Sequence, residues 1–395
     1  MAVSPDVGKS PYDVQVRDRT YHEGVASASG YERLYMVLVD SDVGTWQLEL
    51  KGDHPAAAFL KEPGAGIVVR AAGTDDVIMS GSRVSAELTV DSAFPNGKWV
   101  FTGETDEAIL RDEVVYPSQV VDVSDTALMS FTPSHSRSTS VPAEDAICAV
   151  VLATVSATAP VARRRYPWFA TPISQGRGAV VSRKDRWCTV LESVQKMATL
   201  GGLSFSVRQT GPGVVSLIVR VPAVRAGAKW SLESGNLTSA SLVYRAPDID
   251  EGIAGDFEGD TTRKFTRRTR AASQAAWGRR RVKFFNTSED ELAQMQATLD
   301  EDLDDGAERA GIKIHPKETA GLRFGEHYQL GDIGTASMAG VDLTDRIRQV
   351  VIDHHAGAAP QVDPSVGDPD VADSPAWVKT VRSMFRRYVA PSARR

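Results

Sequence analysis

Leu34-Tyr35-Met36-Val37-Leu38-Val39 is followed by a turn, Asp40-Ser41-Asp42-Val43-Gly44, and then by Thr45-Trp46-Gln47-Leu48-Glu49-Leu50. Apolar residues alternate with other residues on both sides of the turn, which is the pattern of two β-strands. Such alternation indicates that one face packs on a core while the other meets solvent or a neighbour.

Similar short patterns extend outward from this pair of strands. Val14 and Val16 alternate before it, and Pro95-Asn96-Gly97 forms a turn after it. Further strands are predicted at Ile67 to Arg70, Val77 to Ser80, Val84 to Val90 and Trp99 to Thr102. Many short strands at close spacing favour a barrel or a sandwich.

A few helices interrupt this β-rich pattern. Asp185 to Leu200 has an apolar stripe at helical spacing and ends at Gly201-Gly202. The stripe comprises Trp187, Val190, Leu191, Val194 and Ala198. A second helix is predicted from Ser288, which forms a capping box with Glu291, and a third from Pro142 to about Ser156.

Length and composition are those of an ordinary globular protein. The 395 residues are 42% hydrophobic and 24% charged, which predicts about two to four folded domains. The N-terminus lacks the pattern of a signal peptide, and the apolar window from Ala146 to Ala162 is too short and too polar to cross a bilayer. We therefore expect synthesis in a cytoplasm, no membrane insertion, and two buried free cysteines, Cys148 and Cys188.

The sequence carries no pattern typical of a catalytic or metal site. The seven histidines never occur in a metal-binding spacing, and no Gly-x-Ser-x-Gly motif is present. Asp353-His354-His355 is the nearest approach to a metal cluster, but adjacent residues on a strand point to opposite faces. We predict a protein that is not an enzyme and holds no cofactor or metal.

Charge is distributed in two adjacent blocks of opposite sign. Nine basic residues and no acidic one lie between 263 and 283: Arg263, Lys264, Arg267, Arg268, Arg270, Arg279, Arg280, Arg281 and Lys283. Eight acidic residues follow between 289 and 305. The preferred interpretation is that the basic strands pair with the acidic helix, within one subunit or across a subunit boundary. Phosphate binding and a plain solvated face are the alternatives. The net charge of −6 disfavours a dedicated nucleic-acid binder.

The C-terminal region has a different composition. Residues 356 to 375 are rich in Ala, Pro, Asp and Gly, which indicates a linker. The residues after it predict a basic amphipathic helix whose apolar face carries Trp377, Val381, Phe385 and Tyr388. Docking on a neighbouring protein is preferred, with a surface helix or membrane contact as alternatives.

A series of short motifs carries a family resemblance, through their order and spacing. They are Gly44-Thr45-Trp46-Gln47-Leu48, His54-Pro55-Ala56-Ala57-Ala58, Pro63-Gly64-Ala65-Gly66-Ile67, Ser231-Leu232-Glu233-Ser234-Gly235-Asn236-Leu237, Trp277-Gly278-Arg279 and Tyr328-Gln329-Leu330-Gly331-Asp332. Over residues 12 to 356 the chain resembles the minor tail proteins that form the tail-tip hub of long-tailed phages of actinobacteria.

The resemblance implies a fold, an assembly and a role. The expected fold is α+β and β-rich, with barrel or sandwich domains like those of a tail tube and a few packed helices. The expected assembly is a homotrimeric ring at the virion tail tip, in contact with the distal tail protein, the tape-measure protein and other minor tail or fibre proteins. The expected role is to gate release of the tape measure and transient passage of DNA.

Domain boundaries follow from the same considerations. We expect a β-rich domain at 1–116, a middle α+β domain at 117–245, a second β-rich domain at 246–356, a linker at 357–374 and a helix at 375–395. Two other functions remain open. One is binding of host-wall carbohydrate through Tyr166, Trp168 and Phe169; the other is hydrolysis of the wall.

Overall fold

The computed structural model describes residues 10–90, 92, 95–117, 136–159, 166–255, 265–286, 292–316, 319, 322–338 and 340–367. The first elements are strands with one short helix. They are β1 (Tyr12–Arg17), β2 (Glu23–Ser27), β3 (Arg33–Val39), β4 (Thr45–Lys51), α1 (Pro55–Leu60), β5 (Gly66–Ala71), β6 (Val77–Thr89) and β7 (Lys98–Thr105).

The middle of the chain mixes helices and strands. These elements are α2 (Ala108–Arg111), β8 (Ser136–Pro142), α3 (Ala143–Thr154), β9 (Val180–Asp185), α4 (Val190–Gly201), β10 (Ser204–Gly211) and β11 (Val214–Arg220). We call residues 108–220 the helical unit. Its own core is built from α3, α4 and the inner faces of β10 and β11.

The second half returns to strands. It contains β12 (Val224–Ser231), β13 (Leu237–Arg245), β14 (Glu251–Gly255), β15 (Phe265–Thr269), α5 (Ala271–Trp277), β16 (Val282–Asn286), α6 (Leu292–Asp305), β17 (Arg309–Pro316), β18 (Ile333–Met338), β19 (Val341–His355) and β20 (Gln361–Gly367). We call residues 248–308 the charged unit. In it, β15, β14 and β16 form a small sheet on which α6 packs.

Thirteen strands of the described residues form one sheet, which we call the sheet body. Its order is β13-β17-β20-β19-β3-β4-β7-β6-β5-β1-β2, and β12 and β18 join it through β19. The long strand β19 is the link: its first half pairs with β18, and its second half lies between β20 and β3. Strands from the two ends of the chain therefore share one hydrogen-bonded sheet and one apolar core.

The alternating residues of β3 and β4 bury one face of these strands in the core, as predicted, and the other face of β3 is buried as well. Leu34, Met36, Trp46 and Leu48 are fully buried in the main core. On the opposite face of β3, Tyr35, Val37 and Val39 are also buried, and they form a separate small cluster with Val351. Both edges of β3 are paired, with β4 and β19, and both of its faces are thus buried.

Trp46 explains why two neighbouring strands carry glycine. Gly103 lies directly opposite Trp46 on β7, and a Cβ there would be 2.3 Å from the indole Cε2. A Cβ on Gly81 of β6 would be 2.8 Å from the indole Nε1. The two glycines thus leave the space that the Trp46 side chain occupies.

The predicted helices are confirmed with changed boundaries. The third predicted helix is α3. The helix predicted from Asp185 begins instead at Val190, because Thr189 and Glu192 form the capping box. Trp187 precedes the helix with a φ of 57° and is 47% exposed, so its inclusion in the buried stripe was wrong. The capping box predicted at Ser288 lies outside the described residues.

Three local features concern a helix and two strands. The His54-Pro55-Ala56-Ala57-Ala58 motif forms the start of α1, where His54 caps the helix through its side chain. The strands predicted at 77–80 and 84–90 form the single strand β6, bent by a bulge between Arg83 and Ser85. Strand β20 lies within the expected linker and pairs with β17 and β19, with Val362 and Val366 buried. The expected division into domains stays a prediction.

Candidate functional site

The helical unit is inserted between β7 and β12, so the chain enters it after Glu107 and leaves it after Arg220. We call the contact between the helical unit and the sheet body the joint. Apart from the Leu330-Gly331-Asp332 motif and Trp168, the sequence pattern did not single out its residues. Several residues that form hydrogen bonds here are 89 or more positions apart in the sequence, so only the fold brings them together.

A buried ion pair lies at the centre of the joint. Arg17 of β1 is fully buried and donates to both carboxylate oxygens of Asp106, with the Nη1–Oδ2 distance at 2.7 Å. The same Nη1 donates to Oε1 of Gln209 on β10 at 3.1 Å. The Arg17 guanidinium also lies over the Tyr21 ring, 4.2 Å from its centroid. A charge buried this deeply requires such a set of partners.

Glu107 is the second buried acid of the joint. It is 6% exposed, and its Oε1 accepts a hydrogen bond from the backbone N–H of Val207 at 2.9 Å. Burial raises the pKa of Glu107 to about 7, although hydrogen bonds from Thr105 and Val207 and the charge of Arg208 act in the opposite direction. A small cavity lined by Glu107, Leu38, Met79, Ser206 and Leu330, among others, lies beside it.

A third group of charges lies at the far end of β10 and β11. Asp332 is 1% exposed and accepts from Arg220 Nη1 at 3.2 Å and from Arg225 Nε at 2.9 Å. Asp40 accepts a hydrogen bond from Ser204, and burial raises the pKa of Asp40 even though Arg346 and Arg220 lie nearby. The Arg346 guanidinium also donates to the Leu203 carbonyl at 2.8 Å.

The sequence motifs have local structural reasons. Gly331 adopts a φ of 83°, and a Cβ there would lie 2.5 Å from Asp40 Oδ1, so the Leu-Gly-Asp motif belongs to the joint. The Asn236 side chain accepts from the Ser231 N–H and donates to the Lys229 carbonyl, which closes the turn between β12 and β13. Gly278 ends α5 in the left-handed conformation at a φ of 58°.

The basic run is largely paired within the charged unit. Arg268 and Arg270 form ion pairs with Asp300 on α6, and Arg270 also reaches Asp304, as the preferred interpretation expected. The other three arginines pair with acids that do not lie on α6. Arg267 and Arg280 both bind the buried Glu251 at the start of β14, and Arg281 binds Asp250.

Arg279 differs from its neighbours. It is exposed and has no carboxylate partner among the described residues, so it is the arginine of the run that is most open to an external partner. The row of arginines that looked uniform in the sequence is therefore divided by the fold into paired and unpaired members.

The aromatic loop considered for carbohydrate binding is packed against the rest of the joint. Phe169 is fully buried. Trp168 is half-buried between Tyr21, at a ring-centroid distance of 3.5 Å, and Tyr166, at 5.0 Å. The three aromatic residues do not present an open platform, and Trp168 helps to hold the helical unit on the sheet body.

The histidines and cysteines considered in the sequence lie in separate structural environments. His354 is 2% exposed between the Tyr31 hydroxyl and the Ala358 carbonyl, while His355 is exposed. Cys148 is buried and Cys188 half-buried, and burial raises their thiol pKa values to about 11 and 12. Within the described ranges, no three metal-binding side chains lie close enough together to hold an ion.

Two predictions concern the ends and membranes. The helix at 375–395, with Trp377, Val381, Phe385 and Tyr388, lies outside the described residues and stays a prediction. Among the described helices, none has both the length and the hydropathy that a transmembrane span requires.

The comparisons with known proteins agree with the β-rich architecture. The family model described as "Siphovirus ReqiPepy6 Gp37-like protein" matches residues 13–368. No curated protein matches the chain.

Solved structures show the same fold at low sequence identity. The 43 kDa tail protein of prophage MuSo2 from Shewanella oneidensis has a TM-score of 0.56 at 13% identity, over 91% of this chain and 100% of that one. A tail protein from Neisseria meningitidis MC58 has a TM-score of 0.53 at 12% identity, over 92% and 98%. Prophage tail protein gp18 from Listeria monocytogenes EGD-e has a TM-score of 0.50 at 11% identity, over 95% and 98%.

Proposed function

We propose that this chain, which belongs to the Siphovirus ReqiPepy6 Gp37-like protein family, is the hub at the distal tip of a long, non-contractile phage tail. It is a structural, non-enzymatic component of the virion, made in the host cytoplasm and then assembled into the tail.

One observation carries this proposal. The fold of the chain spans 98 to 100% of three tail proteins, two of them described as prophage proteins, although the identities are only 11 to 13%. What these proteins share is therefore the whole arrangement of the sheet with its inserted units, rather than one common module. Family membership over residues 13–368 supports placing the chain in a siphovirus virion.

The proposed assembly is a homotrimer in which three sheet bodies surround an axis. The continuous sheet gives each subunit of the ring a rigid wall, because its strands are joined by backbone hydrogen bonds. The ring contacts the distal tail protein on one side and fibre or other minor tail proteins on the other. It holds back the tape-measure protein until the receptor is engaged, and then lets it and the DNA pass.

The charge distribution supports a structural role for the basic run. Five of its nine basic residues form ion pairs with acids of the same unit, so this part of the positive charge is neutralised within the protein. A strongly attractive lining would retard DNA, whereas internally neutralised arginines would not.

The mass of the purified protein in solution, followed by electron microscopy of the particles, tests this proposal. A trimer with threefold symmetry and an axial opening is the expected result. A monomer that binds or degrades host wall would contradict the hub as the main role. A matched variant, Arg279→Glu, changes the unpaired arginine without removing an internal ion pair, so it can report on contacts between subunits.

A further inference from the structure

Strand β10 has one free edge, and that edge faces the sheet body. On its other side β10 pairs with β11 in a two-stranded sheet. The backbone N–H groups of Phe205, Val207 and Gln209 point away from β11. Buried N–H groups of an edge strand need acceptors, which are usually the carbonyls of another strand.

Here all three acceptors are side-chain oxygens. The Phe205 N–H donates to Ser41 Oγ at 3.0 Å, the Val207 N–H to Glu107 Oε1 at 2.9 Å, and the Gln209 N–H to Ser80 Oγ at 2.8 Å. The three oxygens come from three separate segments of the chain. These N–H groups of β10 thus have hydrogen-bond acceptors although β10 does not pair with a strand of the large sheet.

Most of the other contacts across the joint are polar, apart from the packing of Trp168 on Tyr21. The polar contacts include Arg17 with Gln209 at 3.1 Å, Arg208 with the Val77 carbonyl at 2.9 Å, and Arg220 with Asp332. Contacts of this kind resemble those between domains that move relative to one another more than those of a single core. The cavity beside Glu107 leaves the packing incomplete at the same place.

We propose that the side-chain contacts on the free edge of β10 form a releasable latch, by which the helical unit is held on the sheet body or let go as one piece. Release breaks contacts between side chains and β10 and leaves the strand ladders of both units intact. The chain crossings at 107–108 and 220–224 then act as the two hinges. The use of this latch in gating rests on the proposed hub function, but the latch itself does not.

Protonation of Glu107 controls how firmly the latch holds. Two groups of β10 face Glu107, the charged side chain of Arg208 and the backbone N–H of Val207. The Thr105 side chain faces it from the sheet body. Since the pKa of Glu107 is raised by burial, its contribution to docking is full below the ordinary glutamate pKa and is lost as pH rises through about 7. Asp40 at the far end, facing Ser204, Arg346, Arg220 and Arg348, acts in the same direction.

Hydrogen exchange of the full chain at pH 6 and pH 8, corrected for intrinsic rates, tests the latch. The amides of Phe205, Val207 and Gln209 should exchange together and faster than amides of β3. A glutamate pKa of about 7 in place of about 4.5 predicts roughly tenfold more open joint at pH 8 than at pH 6.

Glu107→Gln should reduce that pH difference to the part that Asp40 supplies, whereas Glu87→Gln, at an exposed position of β6, should leave it unchanged. Ser41→Ala provides a second test, with faster exchange of the β10 amides at both pH values. The proposal is overturned if these amides exchange only with global unfolding, or if the pH difference is the same with and without Glu107. If hydrogen exchange shows the latch but the protein forms no ring, the inference stands and the hub function is refuted.

Discussion

In the core of the sheet body, the Trp46 side chain fills the space above Gly81 and Gly103, and backbone ladders on both sides hold its strand. In the joint, a strand of similar length is held by three side-chain oxygens and a network of buried charges. Apolar packing depends little on pH, while buried acids and ion pairs depend on it strongly. The comparison suggests that one chain can combine a permanent frame with an adjustable attachment.

The largest effect is expected at the buried ion pair of the joint. Arg17→Met leaves the Asp106 carboxylate buried without its cation and should lower the free energy of unfolding by about 3 to 5 kcal/mol. Chemical denaturation measures this. The double variant Arg17→Met/Asp106→Leu should recover much of the loss, because no buried charge is left unpaired. An equal or larger loss in the double variant would contradict the electrostatic explanation.

A slightly smaller effect is expected in the core. Gly103→Ala places a Cβ 2.3 Å from the Trp46 ring and from the Ser82 carbonyl oxygen, which should cost about 1 to 3 kcal/mol or more through overpacking. Gly227→Ala is the matched control, since β12 has open space at that position. If both substitutions change the melting temperature equally, tight packing around Trp46 is not the reason for the glycine.

The two regions should respond to acid in opposite directions. Burial lowers the pKa of His354 in the sheet body, so its contribution to stability is present above the ordinary histidine pKa and is lost as pH falls below it. The joint tightens over the same range because the pKa of Glu107 is raised. Thermal unfolding of His354→Gln between pH 7 and pH 5 should show a smaller acid loss than the wild-type protein. An unchanged slope would show that His354 does not contribute.

The smallest effect is expected at the unpaired arginine. Arg279→Ala should change the free energy of unfolding by no more than about 0.5 kcal/mol, because the side chain is exposed and has no partner among the described residues. Arg281→Ala, which removes a partner from the buried Asp250, should cost more. Denaturation of the two variants side by side decides whether the fold divides the basic run as described.

Periodicity in the sequence predicted much of the fold and little of the joint. The strands around Trp46 and the stripe of α4 follow from local spacing, which neighbours along the chain determine. Strand β20 was missed because Asp363 and Pro364 suggested a linker, although Val362 and Val366 alternate into the core. Glu107 and Asp106 gave no signal, since their partners on β1 and β10 are distant in sequence and become neighbours only in the folded chain.

The most direct test of the functional claim is a cryo-electron microscopy map of the tail tip in the virion that contains this chain. The account predicts three copies around the tail axis at the distal end, with the sheet bodies forming the ring and the helical units attached through the joint. Density for the chain elsewhere along the tail, or its absence from the virion, would contradict it.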